Sequence, residues 1–177
     1  MIGANIAPGM NRSFISEGWT HLIPKKCWYE AITEANDVII QDLDMNIQGY
    51  DIDGSMVKAA RENAKLAGVD QYIHFQQRSM QELSNPKKYG FIITNPPYGE
   101  RIDEKEAMPK LYKEIGETFG KLDSWSYYLI TGFEDAQKYI GKPADKNRKI
   151  YNGMMKTYFY QYMGPKPPKR EKKQDEK

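Results

Sequence analysis

The string Asn95-Pro96-Pro97-Tyr98 follows directly on the apolar run Phe91 to Thr94. Its residue types suit one demanding reaction, methyl transfer to an exocyclic amine of a nucleobase. That nitrogen is a poor nucleophile because its lone pair is drawn into the ring. Two acceptors binding its two N–H groups would aim the lone pair at a methyl donor. The Asn95 side-chain oxygen and the Pro96 carbonyl are suitable acceptors. Two consecutive prolines stiffen the turn and lower the entropy lost on positioning. Tyr98 offers a flat face, and base stacking of that kind is worth about 1–3 kcal/mol. The same four residues also suit a rigid surface turn, since Asn-Pro and Pro-Pro are loop signals.

A second cluster is Gly49-Tyr50-Asp51-Ile52-Asp53. An acid at the carboxyl end of a strand in a nucleotide-binding sheet accepts the hydroxyls of a ribose. Asp51 is the candidate, with Ile52 placed to pack on an adenine ring. Asp53 reads instead as a helix cap, a role that Asp51 could also fill.

These residues need elements to position them. Trp28, Ile32, Ala35, Ile39 and Leu43 recur at helical steps and predict a helix from Lys26 to Asp44. Ile47 to Ile52 reads as a strand ending at Asp51. Asp53 then caps a helix burying Met56, Val57, Ala60 and Ala64, which Gly68 stops. Tyr72 to Phe75 and Phe91 to Thr94 are further strands. Met108, Leu111, Tyr112, Ile115, Phe119 and Leu122 mark one face of a long helix. Trp125 to Thr131 is a strand and Phe133 to Ile140 a short helix. Lys149 to Tyr151 and Met155 to Met163 flank Asn152-Gly153, a strong hairpin signal. Strands alternating with helices predict an α/β sheet, mainly parallel, with ligands at the carboxyl ends of its strands. Asp51 and Asn95 both fall at such ends, so one crevice is expected to hold them.

Composition narrows the class. The chain has 177 residues, 40% of them apolar and 28% charged, which corresponds to about one domain with a real core. No apolar run approaches the roughly 20 residues of a spanning helix. The first residues lack a basic segment followed by an apolar one, so no secretory signal is expected. One cysteine, Cys27, beside two histidines, His21 and His74, argues against a disulfide or a zinc cage. No metal is expected, and a reducing, cytoplasmic setting is. Cys27 reads as a small buried residue, His74 as a strand-surface group, and Trp19, Trp28 and Trp125 as core. The net charge of +2 is uneven. Residues 164–177 read as a disordered basic tail that keeps the chain soluble or holds RNA phosphates in a salt-dependent way.

GYDIDGSMVKAARENAKLAGV, then FIITNPPYGERI, then the KIYNG hairpin, resemble the bacterial class I, S-adenosylmethionine-dependent RNA methyltransferases with a THUMP domain. Within them the nearest group is the 23S rRNA guanine-N2 methyltransferases, often labelled N6-adenine-specific DNA methylases. The resemblance covers nearly all of residues 1–163. It implies a Rossmann-like class I sheet closed by an antiparallel hairpin. It implies Asp51 and Ile52 on S-adenosylmethionine, and Asn95, Pro96, Pro97 and Tyr98 on the target base. Ser79 stands where the family commonly has an acid for the adenine amine. Arg101 is placed to meet a substrate phosphate or to pair with Glu100.

Two family features are expected outside this chain. One is the upstream THUMP domain. The other is a DPxCGSGT-type loop after the first strand, which no glycine-rich string in residues 1–90 matches. Residues 1–163 are therefore read as a catalytic domain without its first strand. That strand would lie between those bearing Asp51 and Asn95, so its loss predicts two interrupted ladders and an isolated chain of low stability and activity. The leading reading is guanine-N2 methylation of 23S rRNA. N6-adenine methylation of DNA and a non-catalytic RNA-binding remnant are the alternatives.

Overall fold

The computed structural model describes residues 1–99 and 102–169, and the chain divides into two compact units, Met1–Ser79 and Met80–Lys177. The first contains α1 (Lys25–Asp37), β1 (Ile47–Asp51), α2 (Gly54–Leu66) and β2 (Ile73–Gln77). The second contains β3 (Phe91–Thr94), α3 (Ile102–Gly120), β4 (Ser126–Thr131), α4 (Ala136–Ile140), β5 (Lys146–Asn152) and β6 (Met155–Tyr162).

In the first unit β1 and β2 pair in parallel, with Asp51 opposite Gln77. Asp53 caps α2, its Oδ1 accepting from the Ser55 amide at 2.8 Å and the Ser55 hydroxyl at 2.7 Å. Those bonds favour the ionised form and hold the Asp53 carboxyl below its ordinary range. Val57 and Ala64 are buried, but Met56 is 53% exposed. The helix expected to reach Asp44 stops at Asp37. Asn36 and Asp37 are weak helix formers and Val38-Ile39-Ile40 is β-branched. That segment leaves the helix, and the Ile40 amide bonds to the Ala4 carbonyl at 3.0 Å. Ile39 and Leu43 are thus half-buried on irregular chain rather than on a helix face. Cys27, expected inside, is exposed, and Trp19 is 49% exposed. Trp28 is half-buried, stacked on Phe14 at 5.9 Å.

The second unit carries the larger core. Its sheet runs β3-β4-β6-β5, parallel between β3 and β4 and antiparallel thereafter. Met108, Tyr112, Ile115 and Phe119 of α3 pack on Tyr127 and Leu129 of β4, Tyr160 and Tyr162 of β6, and Ala136 and Ile140 of α4. Burying each such large side chain contributes about 1.5–3 kcal/mol. Trp125 is half-buried and ties down the approach to β3, its indole N–H donating to the Lys87 carbonyl at 2.7 Å. On the other face of β3, Phe91 and Ile93 are 68% and 81% exposed.

β5 begins at Lys146, three residues before the expected start, and the hairpin turns at Gly153-Met154 rather than Asn152-Gly153. Asn152 pairs with Met155, and Gly153 has φ +61°. A glycine alone at positive φ in the first loop position is the mark of a II′ turn, whose twist suits adjoining strands. Among the described residues β1 and β3 each have a ladder partner on one side only.

Candidate active site

Asn95 follows the last residue of β3, at its carboxyl end. Asn95 and Pro97 are exposed, Pro96 and Tyr98 half-buried. The Tyr98 hydroxyl donates to Asn95 Oδ1 at 2.5 Å. An amide oxygen has two lone pairs, so Oδ1 keeps one acceptor position for a substrate N–H. Gly99, next in the chain, is buried with φ +74°. That backbone region favours glycine, and a Cβ there would stand 2.8 Å from Met108 Cγ. The turn therefore passes tightly over α3.

A chain of hydrogen bonds holds the turn from below. Thr131, the last residue of β4, is fully buried. Its hydroxyl accepts from the Phe133 amide at 2.9 Å and is bonded to the Tyr112 hydroxyl. Tyr112 donates its single proton to the Pro97 carbonyl at 3.3 Å, so the Thr131 hydroxyl must donate to Tyr112. The direction is fixed: Phe133 amide to Thr131, Thr131 to Tyr112, Tyr112 to Pro97. Such chains polarise one another. Burial raises the Tyr112 phenol to about 12 despite the Thr131 bond, so at neutral pH it stays a donor. Phe133 adds a tilted ring contact to Tyr112 at 5.0 Å. Gly132 lies under Tyr98, where a Cβ would be 3.5 Å from the ring. The sequence reading missed Tyr112, Thr131 and Gly132 as supports of the turn. The Thr131-Gly132 pair closing an apolar strand was the available signal.

Asp51 ends β1 and is exposed. Its Oδ1 accepts from the Asp53 amide at 2.9 Å, and its carbonyl accepts from the Arg78 amide at 2.9 Å. The carboxylate is therefore oriented. Ile52 beside it is 72% exposed. Ser79 follows β2 and is half-buried. Asp51, Ile52 and Ser79 belong to the first unit, and Asn95 to Tyr98 to the second. Asp53 is the cap it was read to be. His74 is exposed on β2. Arg101 and Glu100 lie outside the described residues. Among the described residues no group of three His, Cys, Asp or Glu side chains could hold a metal, and no helix is long and apolar enough to cross a membrane.

Known proteins are similar to this chain in sequence and in fold. "Putative RNA methyltransferase YpsC" of Bacillus subtilis (strain 168) is 42% identical over 97% of the chain and 44% of its own length. "Ribosomal RNA large subunit methyltransferase K/L" of Shewanella sp. (strain ANA-3) is 32% identical over 92% of the chain and 23% of its own length. A crystal structure described as "SMU.472, a putative methyltransferase complexed with SAH" superposes with a TM-score of 0.88 at 39% identity, over 95% of the chain and 44% of that protein. Another, of "a predicted N6-adenine-specific DNA methylase" from Listeria monocytogenes, gives 0.85 at 41% identity, over 93% and 42%. The chain thus spans less than half the length of these proteins. These folds are Rossmann-like, as the motif order implies. Residues 1–161 match the family UPF0020, described as "RMKL-like, methyltransferase domain", and the chain belongs to that family.

Proposed function

We propose that this chain is the catalytic part of an enzyme that transfers a methyl group from S-adenosylmethionine to an exocyclic amine of a nucleobase, guanine N2 of 23S rRNA being the target. The observation that carries the reading is the braced Asn95–Tyr98 turn at the carboxyl end of β3, with Asn95 Oδ1 held by Tyr98 and the Pro97 carbonyl held by Tyr112. Relatives named as ribosomal RNA large-subunit methyltransferases support RNA as the substrate.

The residues present fit the cofactor. An oriented carboxylate, Asp51, suits the ribose hydroxyls, and the exposed apolar Ile52 suits the face of an adenine. Ser79 would meet the adenine edge. The SAH in a relative's crystal is the demethylated product of the same donor. When bound, S-adenosylmethionine supplies a methyl group already activated on a sulfonium. Asn95 Oδ1 and the Pro96 carbonyl accept the two amine N–H groups and point the nitrogen lone pair outward. Tyr98 stacks on the base, which must first leave its helix. The amine proton passes to water, so no side chain is needed as a strong base.

Residues 1–163 form the catalytic part in this reading, and the tail from 164 adds a salt-dependent hold on RNA. The rest of the protein would carry a THUMP domain, and the enzyme would work in the cytoplasm. The DNA methylase description of one structural relative favours a second reading, N6-adenine in DNA. The deciding assay offers 23S rRNA and duplex DNA, with labelled S-adenosylmethionine, to the full-length protein. Label is expected in guanine of the RNA. Asn95→Ala should lower turnover about 100-fold or more while cofactor affinity persists. RNA binding without transfer, unaffected by Asn95→Ala, would establish a non-catalytic role instead.

A further inference from the structure

The charge of this chain is concentrated where the β5–β6 hairpin begins. Residues 1–145 hold 16 Lys/Arg and 21 Asp/Glu, whereas Lys146 to Lys169 holds six Lys/Arg and no acid. Four of the six, Lys146, Arg148, Lys149 and Lys156, lie on the hairpin.

Alternation along the strands separates these cations onto two faces. Lys149 pairs across the ladder with Tyr158, and Tyr151 with Lys156, on the face shared with Thr131. Lys146 and Arg148 pair with Gln161 and Phe159 on the other face. On the first face the Lys149 ammonium lies 5.2 Å from the Tyr151 ring centroid. Tyr151 is 63% exposed and Met154 at the tip fully so. The lysine beside Tyr151 also holds its phenol below the ordinary range. Glu134 offsets the charge of Lys156 through a 2.6 Å ion pair and also accepts from Tyr158 at 3.3 Å. Among the described residues Lys149 has no such short ion pair; it bonds to the Tyr151 phenol and lies next to that exposed aromatic ring.

This face is fastened to the candidate active site. Glu134 is two residues from Gly132, which underlies Tyr98, and follows Phe133, which starts the hydrogen-bond chain to Pro97. A cation and an uncovered ring beside a base-binding turn is the combination that grips a single strand, one phosphate and one base at a time.

We propose that the Lys149–Tyr151 face of the β5–β6 hairpin binds the single-stranded RNA flanking the target nucleotide, with a phosphate on Lys149 and a neighbouring base stacked on Tyr151. This rests on the functional reading above and extends it to the strand beyond the base.

The test is fluorescence anisotropy of a short labelled single-stranded RNA, titrated with the full chain at several salt concentrations. Circular dichroism confirms that each variant is folded. The pair Lys149→Ala and Tyr151→Ala should weaken binding about five-fold or more, and Tyr151→Phe should restore the stacking part. Lys149→Ala alone should lower the salt slope by about 1. The opposite-face pair Lys146→Ala and Arg148→Ala removes two charges instead of one, yet should cost less. An equal or greater loss from the opposite face would mean that net charge alone is read, and would overturn the proposal. So would unchanged RNA binding by the first pair, including the case in which the face serves a protein partner. Failure of the methylation reading appears separately, as wild-type protein that binds this RNA but transfers no methyl group.

Discussion

The Tyr98 hydroxyl and the Asn95 side-chain oxygen are joined at 2.5 Å, so in the proposed reaction the residue that would offer the base a flat face also fixes the acceptor that would orient its amine. One aromatic side chain would thereby have two separable functions. Its ring is available for stacking, and its hydroxyl holds the rotamer of Asn95.

Tyr98→Phe keeps the ring and removes the donor. Its KM for RNA should stay near the wild-type value while kcat falls about ten-fold, the effect of one lost hydrogen bond to the acceptor. Tyr98→Ala removes both functions, and KM should then rise about five-fold or more as well. Steady-state methyl transfer measures both constants. A Tyr98→Phe enzyme with unchanged kcat would show that Asn95 needs no such support.

Tyr112→Phe breaks the buried chain in its middle. The Thr131 hydroxyl loses its acceptor, keeping only the bond from the Phe133 amide, and the Pro97 carbonyl loses its donor, while ring packing is kept. Urea unfolding should show a loss of about 1–3 kcal/mol, the usual consequence of leaving a buried polar group unpaired. Turnover should fall too, because Pro97 is no longer held. Tyr112 acts through Pro97 and touches no substrate in this reading. The split between a lowered kcat and an unchanged KM distinguishes positioning from general loosening.

Glu134 sets a pH dependence for the hairpin. Its bond to Lys156 holds the Glu134 carboxyl below the ordinary glutamate range, and the same contact holds Lys156 above the ordinary lysine range. A depressed carboxyl contributes stability that is present above its unfolded value and lost as pH falls through the folded one. The pair is therefore intact at neutral pH and released in acid. Urea midpoints followed downward from pH 7 should fall less steeply for Glu134→Gln than for wild type. The difference should shrink in high salt, because both groups are exposed. Parallel curves at all pH values would remove Glu134 from the account.

Much of this was legible from residue order. Phe91 to Thr94 was bounded correctly because an apolar run stops at a proline pair that cannot extend a strand. Asp53 was legible because a cap needs only its own side chain and the next turn. Leu43 was misplaced because a helical period continued by chance beyond Asn36-Asp37, where β-branched residues took over. Gly153 was assigned to the second turn position rather than the first, since two neighbouring residues both tolerated the bend and only cross-strand register chose between them. Tyr112 and Thr131 could not be found as partners at all. They stand nineteen residues apart on different elements, and one also reads as an ordinary core position of α3.

The short segment from Thr131 to Glu134 has one further consequence. Thr131 and Phe133 anchor it to the turn that would hold the base, and Glu134 anchors it to the hairpin that would hold the strand. In that reading it would work as a ruler. The interval between the modified nucleotide and its gripped neighbour would be set by this stretch of backbone. An insertion there would change which nucleotide is presented for methylation, with both grips left in place.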